Sequence, residues 1–394
     1  MDAALLRAAL ALALAAAVSL GTARFSYALL LPPMRADLGW SYFTAGAMNT
    51  VNAAGYLLGA LLLPRVLRRV DARRVMLAGG ALAAVLLALH GSTRNEAALL
   101  LLRGGCGAAS AASFVGGGVL AARLASQAVG QSGRVLGLYY GGTGLGIVLS
   151  AVLLAGMGVG GTSGPWAPAW VLLGALSLLV TGLTAAGTRA LTAPPAPGAA
   201  RVDLALRPFV FGLLGYAMFG LGYIGYMTFI VTLLREQGLG SGTVTGFYML
   251  LGAAVVASSF IWAGLLQRHR GGRPLATLNA LLALATLLPV LSSHPVAVFA
   301  SGALFGGVFL SVVASTTALV RHNAEPAAWA SGIAAFTIVF AAGQIVGPAL
   351  AGLIADAAGG LRQSLAWSAA ALALGALLAL MQKPVRPASP SGSA

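Results

Sequence analysis

Twelve long apolar segments run along the chain, and short polar connections separate them. Each segment is long enough to form a helix across about 30 Å of hydrocarbon, and a helix satisfies its own backbone hydrogen bonds there. The pattern therefore predicts an all-α polytopic membrane protein with twelve transmembrane helices. The segments lie at residues 6–31, 43–63, 75–91, 97–121, 135–159, 166–187, 208–234, 243–266, 274–291, 295–320, 328–354 and 363–381.

The first apolar segment also has features of a cleaved signal peptide, because Arg7 precedes an apolar stretch that ends in small residues. The apolar run resumes at Phe25 and continues to Leu31. The whole run is therefore long enough to span the bilayer. We therefore interpret this segment as the first transmembrane helix, with cleavage as the alternative.

The composition agrees with a membrane protein. Of the 394 residues, 59% are hydrophobic and 8% are charged, whereas soluble domains have about 25% charged residues. The single cysteine, Cys106, lies in an apolar run beside glycines. This setting indicates a role in helix packing rather than in a disulfide, a metal site or redox chemistry.

The net charge is +15, and all of the 23 basic residues except Lys383 are arginine. They lie mostly between the apolar segments and form no aromatic-basic platform, which argues against a nucleic-acid partner. If the even-numbered connections share one side with both termini, that side has 17 basic residues and the other side has 4. Because basic loops remain in the cytoplasm, we expect both termini to be cytoplasmic.

A segment rich in Pro, Gly and Ala divides the apolar segments six from six. It spans residues 188–207, and its composition is typical of an irregular linker. We therefore predict a first six-helix unit at residues 1–187 and a second at residues 208–382. A disordered cytoplasmic tail is expected at residues 383–394.

Two arginine-rich connections occupy equivalent positions in these halves. GALLLPRVLRRVDARRV (59–75) follows the second apolar segment, and AGLLQRHRGGRP (263–274) follows the eighth. Both resemble the loop motif of the major facilitator superfamily. The match is partial, because Pro64 and Arg65 replace the Asp-Arg pair of the motif and Asp71 stands where Gly is common.

Other segments resemble the same superfamily. Arg103 with Gly107 is similar to the Arg-x-x-x-Gly pattern of its fourth helix, and Gly137, Gly141, Gly144 and Gly146 are similar to its glycine-rich fifth helix. Three segments resemble its YbfB/YjiJ-type bacterial branch more closely: ARFSYALLLPPM (23–34), YAMFGLGYIGYMTF (216–229) and GQIVGPALAG (343–352).

The resemblance implies two pseudo-symmetric six-helix bundles that rock about a central site, which is reached alternately from each side of the membrane. It also implies that the loop motif controls this movement and that glycines let helices approach and slide. The predicted gating residues are Gly59, Arg65, Arg68, Arg69, Asp71, Arg73, Arg74, Arg268 and Arg273, and the predicted packing glycines are Gly137, Gly141, Gly144, Gly146, Gly343 and Gly347.

Two arginines, Arg24 and Arg103, lie inside predicted helices. A buried arginine costs about 2.5–3.5 kcal/mol on insertion scales, and all eight acidic residues fall in termini, loops or helix ends. A guanidinium without an acidic partner binds an anion from solution in bidentate fashion. We therefore predict a site for a small organic anion such as a carboxylate. The alternative is that either arginine snorkels outward or bonds backbone carbonyls near glycines.

Polar residues at helical spacing extend this candidate site. Tyr27 lies three residues after Arg24, and Asn49, Asn52 and Tyr56 share one face of the second helix. The alternative is that such residues only hydrogen-bond between helices. The second half of the chain offers Tyr216, Tyr223, Tyr226, Thr337 and Gln344.

These observations favour a secondary transporter, a monomer whose partners are a small-molecule solute and the lipid bilayer. The chain has no GxxxxGK[ST] phosphate loop and no intramembrane cluster of catalytic side chains. We therefore expect no ATP use, no enzyme activity, no metal and no cofactor. Two alternatives stay open, namely an exporter of hydrophobic or drug-like compounds and a non-transporting sensor with the same fold. The sequence does not identify a coupling ion.

Overall fold

The computed structural model describes residues 1–128, 130–159, 164–192, 204–357 and 359–385. Across these ranges every regular element is a helix, and twelve helices are long and apolar enough to cross a membrane. The predicted all-α polytopic fold is therefore confirmed. The helices are α1 (Ala3–Leu38), α2 (Tyr42–Val66), α3 (Ala72–His90), α4 (Glu96–Gln127), α5 (Ser132–Gly156), α6 (Trp166–Gly187), α7 (Arg207–Glu236), α8 (Ser241–Arg268), α9 (Arg273–Leu291), α10 (Pro295–Asn323), α11 (Pro326–Ala357) and α12 (Gly360–Leu380).

Because twelve is an even number of crossings, the start of α1 and the end of α12 lie on the same side of the membrane. We call this side of the protein the terminal face. The opposite face, which carries the α1–α2, α7–α8 and α11–α12 connections, is the distal face. Residues 193–203 and 386–394 lie outside the described residues. The predicted linker and tail, with Arg201 and Arg386, therefore stay predictions, as does the cytoplasmic location of the terminal face.

The two halves of the chain repeat one pattern of helix packing. In the first half α4 packs against α2 and α3, and α3 packs against α6. In the second half α10 packs against α8 and α9, and α9 packs against α12. Likewise α1 packs against α5, as α7 packs against α11. The halves are thus pseudo-symmetric, as expected, while the exact bundle limits of 187 and 208 stay predictions.

The first helix changes its pitch in the middle of its span. Residues Ala17–Phe25 form a π-helical segment, and this segment carries Arg24. Packing here is close, since a Cβ atom added at Gly21 would lie 2.5 Å from the Cα atom of Gly146 in α5. Isolated π-helical turns are rare and frequently occur at functional sites. The sequence pattern did not predict this irregularity.

Glycines bring the two halves into contact at two helix pairs. A Cβ atom added at Gly46 of α2 would lie 2.1 Å from the carbonyl oxygen of Pro348 in α11. A Cβ atom added at Gly144 of α5 would lie 2.2 Å from the carbonyl oxygen of Gly252 in α8. Backbones therefore touch across both interfaces, which small residues permit. The α2–α11 contact lies towards the distal face.

The outward surface of the helices is apolar. Leu101, Leu179 and Leu377 are exposed by 77%, 62% and 62%. Large aliphatic side chains at this exposure suit contact with hydrocarbon better than contact with water. Polar side chains within the spans instead concentrate between helices, where the candidate site lies.

Candidate functional site

Arg24 connects the two halves of the protein near the middle of α1. Its side chain is 7% exposed, and its Nη2 atom donates a hydrogen bond to Oε1 of Gln344 in α11. The guanidinium carbon lies 5.7 Å from the ring centroid of Tyr56 in α2 and 5.9 Å from that of Phe25. Arg24, Tyr56 and Gln344 therefore come together at the interface between the halves.

Arg103 lies in the interior of the first half. Its side chain is 1% exposed, Nη1 donates to the carbonyl oxygen of Ala23 at 3.2 Å, and Nη2 donates to Oδ1 of Asn49 at 2.6 Å. The guanidinium carbon stands 4.7 Å from the ring centroid of Tyr27, which favours a cation. These contacts match the alternative interpretation, in which the arginine bonds a backbone carbonyl. The Nε atom of Arg103 is buried and has no hydrogen-bond partner.

Neither arginine has an acidic partner among the residues that the structure describes. The two ion pairs found there lie at the distal face, Arg35 with Glu236 at 3.9 Å and Arg94 with Asp37 at 3.2 Å. The groups that contact Arg24 and Arg103 are amide and carbonyl oxygens and aromatic rings. The interior of the described spans therefore holds two cations and only neutral acceptors.

Three predicted site residues make hydrogen bonds between helices. Nδ2 of Asn49 donates to Oγ1 of Thr228 in α7 at 2.8 Å, so Asn49 joins Arg103 to the second half. Nδ2 of Asn52 donates to the carbonyl oxygen of Arg103 at 3.0 Å. The hydroxyl of Tyr27 donates to the carbonyl oxygen of Ala45 at 2.9 Å. These bonds fix helix positions and occupy groups that we expected to face a solute.

Two of the three tyrosines predicted on α7, Tyr216 and Tyr223, stack with Phe340 of α11. The ring of Tyr223 lies 4.7 Å from that of Phe219 and 5.6 Å from that of Phe340, with planes 20° apart in both pairs. Tyr216 lies 4.9 Å from Phe340, again at 20°. The stack therefore extends along the α7–α11 interface, and Phe340 lies one helical turn before Gln344, the hydrogen-bond partner of Arg24.

Tyr226 and Thr337 point elsewhere. The Tyr226 ring stacks on that of Phe305 in α10 at 4.0 Å, and its hydroxyl shares a 2.7 Å hydrogen bond with Ser301. The hydroxyl of Thr337 donates to the carbonyl oxygen of Ile333 in its own helix at 2.8 Å, and the residue is exposed. Thr337 stands on the side of α11 towards the terminal face, two turns from Gln344.

The loop-motif residues of the first half act within that half. The side chain of Asp71 accepts the backbone N–H of Arg73 at 2.8 Å and so caps α3. Arg73 donates to the carbonyl oxygen of Ala185 at 2.8 Å and to Thr188 at 3.3 Å, both at the end of α6. Gly59 packs on α4, since an added Cβ atom would lie 2.9 Å from the carbonyl oxygen of Ala108. The exposed members of the set are Arg65, Arg68, Arg69, Arg74, Arg268 and Arg273.

The predicted packing glycines differ in how closely they approach a neighbour. A Cβ atom added at Gly146 would lie 2.2 Å from the carbonyl oxygen of Ala17, and one at Gly343 would lie 2.7 Å from that of Ala217. One at Gly347 would lie 2.7 Å from the carbonyl oxygen of Leu221. Looser contacts occur at Gly137 and Gly141, which face Phe260 and Val256 at 3.1 and 3.6 Å.

A second cluster between the halves was missed by the sequence analysis. It consists of Arg35, Tyr42, Glu236 and Asp356, and we call it the distal clasp. The Tyr42 hydroxyl bonds the Glu236 carboxylate, and the guanidinium carbon of Arg35 lies 3.7 Å from the Tyr42 ring centroid. The sequence analysis placed the two carboxylates in loops or helix ends, and no spacing in the sequence shows that the four residues meet.

Twelve helices in two equivalent halves, with polar side chains meeting at their interface, define a transporter of the major facilitator fold. A family model described as "Uncharacterised MFS-type transporter YbfB" matches residues 16–380. The chain belongs to this YbfB-type family of major facilitator transporters, which confirms the resemblance found in its sequence. The protein is accordingly a multi-pass membrane protein of a transporter family and not an enzyme.

Solved structures with the same fold span nearly the whole chain. A bacterial homologue of the human lysosomal transporter Spinster, inward-facing and unoccupied, is 16% identical, with 97% of each chain covered and a TM-score of 0.71. The nucleoside transporter NupG is 15% identical over 96% of this chain and 98% of its own, with a TM-score of 0.72. The human organic anion transporter MFSD10 is 15% identical over 96% of this chain and 100% of its own, with a TM-score of 0.63. A comparison with curated proteins gives no match.

Proposed function

We propose that the protein is a monomeric secondary transporter that moves a small organic anion, such as a carboxylate, by alternating access. The observation that carries this proposal is the environment of Arg24. Its guanidinium is buried between the halves, and its hydrogen-bond acceptor is the neutral amide oxygen of Gln344. A buried cation that lacks a counter-charge is costly. An anionic substrate supplies the missing charge at this position.

The Arg24–Gln344 contact also suggests how binding acts on the two halves. The Gln344 oxygen accepts a hydrogen bond from one N–H group of the Arg24 guanidinium. A carboxylate has two oxygens and can accept two parallel hydrogen bonds from the same planar group. A carboxylate that replaces Gln344 therefore breaks a direct link between α1 and α11 and forms a bridge through the substrate. Substrate binding thus changes the relative free energies of the arrangements of the two halves.

We further propose that the terminal face is cytoplasmic, in a bacterial inner membrane, and that this arrangement is the inward-facing state. Residues 1–187 and 208–382 are the two moving bundles, and residues 188–207 link them. The basic-residue bias of the loops supports the orientation. The inward-facing assignment is supported by the distal clasp, which joins the two halves at the distal face.

Binding and uptake by purified protein test this proposal. The probes are labelled small carboxylates, amino acids and drug-like cations, measured first in detergent and then in proteoliposomes. We expect carboxylates to bind and to cross the bilayer. In Arg24→Ala, carboxylate affinity falls by about ten- to a hundredfold, the value of one hydrogen bond to a charged group.

Arg94→Ala is the matched control, because Arg94 lies on the distal face and 72% of its side chain is exposed. Its carboxylate affinity is expected to equal that of the unsubstituted protein. An unchanged affinity in Arg24→Ala would contradict the anion site. Tight binding of a carboxylate without movement across the bilayer would instead identify a sensor, and selective binding of the cations would identify a drug exporter.

A further inference from the structure

A stack of aromatic rings lies between α7, α10 and α11, near Arg24. Phe340, Phe219 and Tyr223 form a stack in which the Phe219 and Phe340 rings lie 5.2 Å apart with planes inclined by only 6°. The Tyr223 ring lies 6.1 Å from that of Phe309 in α10, with planes inclined by 11°. Near-parallel rings from three helices therefore form one continuous set of aromatic faces.

Phe340 is the member of this stack that remains accessible. Phe219, Tyr223 and Phe309 are buried, with exposures of 0%, 3% and 2%, whereas Phe340 is half-buried. Phe340 also precedes Gln344 by four residues on α11, so both side chains lie on the same face of the helix. Four residues correspond to an axial rise of about 6 Å. An apolar ring surface is thus one helical turn from the acceptor of Arg24.

The aromatic surface and the cation are connected. The ring of Phe309, which lies 6.1 Å from that of Tyr223, also lies 5.8 Å from the ring of Phe25, the residue next to Arg24. Arg24 itself is flanked by the rings of Tyr56 and Phe25 at 5.7 and 5.9 Å. Aromatic faces therefore lie within reach of a ligand that bonds this guanidinium.

We propose that the substrate is an aromatic carboxylate, whose carboxylate binds Arg24 and whose ring packs on Phe340 as the next member of the stack. This inference rests on the anion transport proposed above. The carboxylate takes the place of the Gln344 oxygen, and the Gln344 amide N–H is then free to donate to the carboxylate. The separation of about 6 Å along α11 fits a ring joined to its carboxylate directly or through one or two carbons. Offset-stacked rings are more favourable than apolar contact of the same area alone, which selects an aromatic ring over a saturated one.

Three probe pairs test the inference on the unsubstituted protein. They are benzoate with cyclohexanecarboxylate, phenylacetate with cyclohexylacetate, and 3-phenylpropionate with 3-cyclohexylpropionate. Each pair shares its charge and linker and differs in the ring. Binding is measured by isothermal titration calorimetry. In at least one pair we expect the aromatic acid to bind about two- to tenfold more tightly than its saturated partner. Equal affinities in all three pairs, or preference for the saturated acids, would overturn the inference.

The neutral amides of the same aromatic acids separate this inference from the anion proposal. The amides are expected to bind at least tenfold more weakly than the acids. If acids of both ring types bind equally well and the amides do not, the anion site stands and the aromatic inference fails. If the amides bind as tightly as the acids, both fail.

Phe340→Leu tests the assigned residue, because it removes the ring and keeps an apolar side chain. The preference for the aromatic acid should fall to about one, while the affinity for its saturated partner changes by less than about twofold. Phe299→Leu is the matched control, since Phe299 is another half-buried phenylalanine, near the distal end of α10. Phe299→Leu should keep the full preference for the aromatic acid over its saturated partner. A preference that survives in Phe340→Leu would overturn the placement of the ring.

Discussion

The carboxylate of Asp356, at the end of α11, accepts the backbone N–H of Tyr42, at the start of α2, at 2.9 Å. Its second oxygen accepts the N–H of Phe43 at 2.8 Å. The first N–H groups of a helix have no partner within the helix, and the helix dipole favours a negative charge there. Asp356 therefore caps a helix of the opposite half, and this cap joins the two halves at the distal face.

Asp356→Asn is expected to open the distal face. The amide keeps the size of the side chain but removes the charge and one acceptor, and loss of a helix cap costs about 0.5–2 kcal/mol. The equilibrium between distal-closed and distal-open arrangements should shift by about two- to thirtyfold towards the open one. Double electron–electron resonance between spin labels at Ala97→Cys and Val296→Cys, on a Cys106→Ser background, measures the distance between the halves.

Asp37→Asn is the control for this experiment. Asp37 is also a distal-face carboxylate, but its contacts with Arg94 at 3.2 Å and Trp166 at 2.8 Å are all within the first half. The distribution of distances between the two spin labels in Asp37→Asn should match that in the protein without this substitution. Equal shifts in Asp37→Asn and Asp356→Asn would show that the effect comes from surface charge and not from the cap.

Gln344→Glu is expected to block anion binding. The substitution places a carboxylate of nearly the same shape beside Arg24, where it forms a bidentate ion pair and competes with the substrate. The affinity for carboxylate substrates should fall at least tenfold, the equivalent of about 1.4 kcal/mol. Gln267→Glu, an exposed position near the end of α8, adds the same charge at the surface and should leave the affinity unchanged. A substrate affinity that is equal in Gln344→Glu and the unsubstituted protein would place the anion elsewhere.

The fold could be predicted from the sequence, but much of the site could not. Hydropathy alone places twelve helices, because a segment that spans hydrocarbon must be long, apolar and helical. Residue type also selects Arg24 and Gln344 as candidates. It does not show that Asn49 bonds Thr228, since contacts between helices 179 residues apart leave no periodicity in either segment. Phe340 was missed for the same reason, because a phenylalanine in an apolar helix carries no signal until its neighbours are known.

Arg24 and Arg103 show this limit most clearly. Both are single arginines in apolar helices without acidic neighbours, so the sequence treats them alike. The structure places Arg24 between the halves and Arg103 within one half, where it bonds a carbonyl that belongs to the π-helical segment. Hydropathy and helical spacing do not predict which carbonyls a π-helical turn makes available.

Arg103→Met is therefore expected to affect stability more than substrate binding. The substitution keeps an apolar stem but leaves the oxygens of Ala23 and Asn49 without their donor, and each lost bond to a charged group costs about 1.5–3 kcal/mol. The melting temperature in detergent should fall clearly, while the carboxylate affinity of the protein that remains folded stays within about threefold of the original. An unchanged melting temperature together with a lost affinity would place Arg103 in the substrate site.

Gly144→Ala is expected to disturb the contact between α5 and α8. The new methyl group would lie 2.2 Å from the carbonyl oxygen of Gly252, a backbone atom that moves only if the helices separate. Overpacking of this kind costs about 1–3 kcal/mol, so both the melting temperature and the rate of uptake in proteoliposomes should fall. Gly182→Ala in α6 is the matched control, because an added Cβ atom there meets nothing within 4 Å. Alanine is also the better helix former, so Gly182→Ala should leave stability unchanged or slightly higher. Equal losses in the two variants would mean that glycine acts at position 144 through helix flexibility rather than through close packing of the halves.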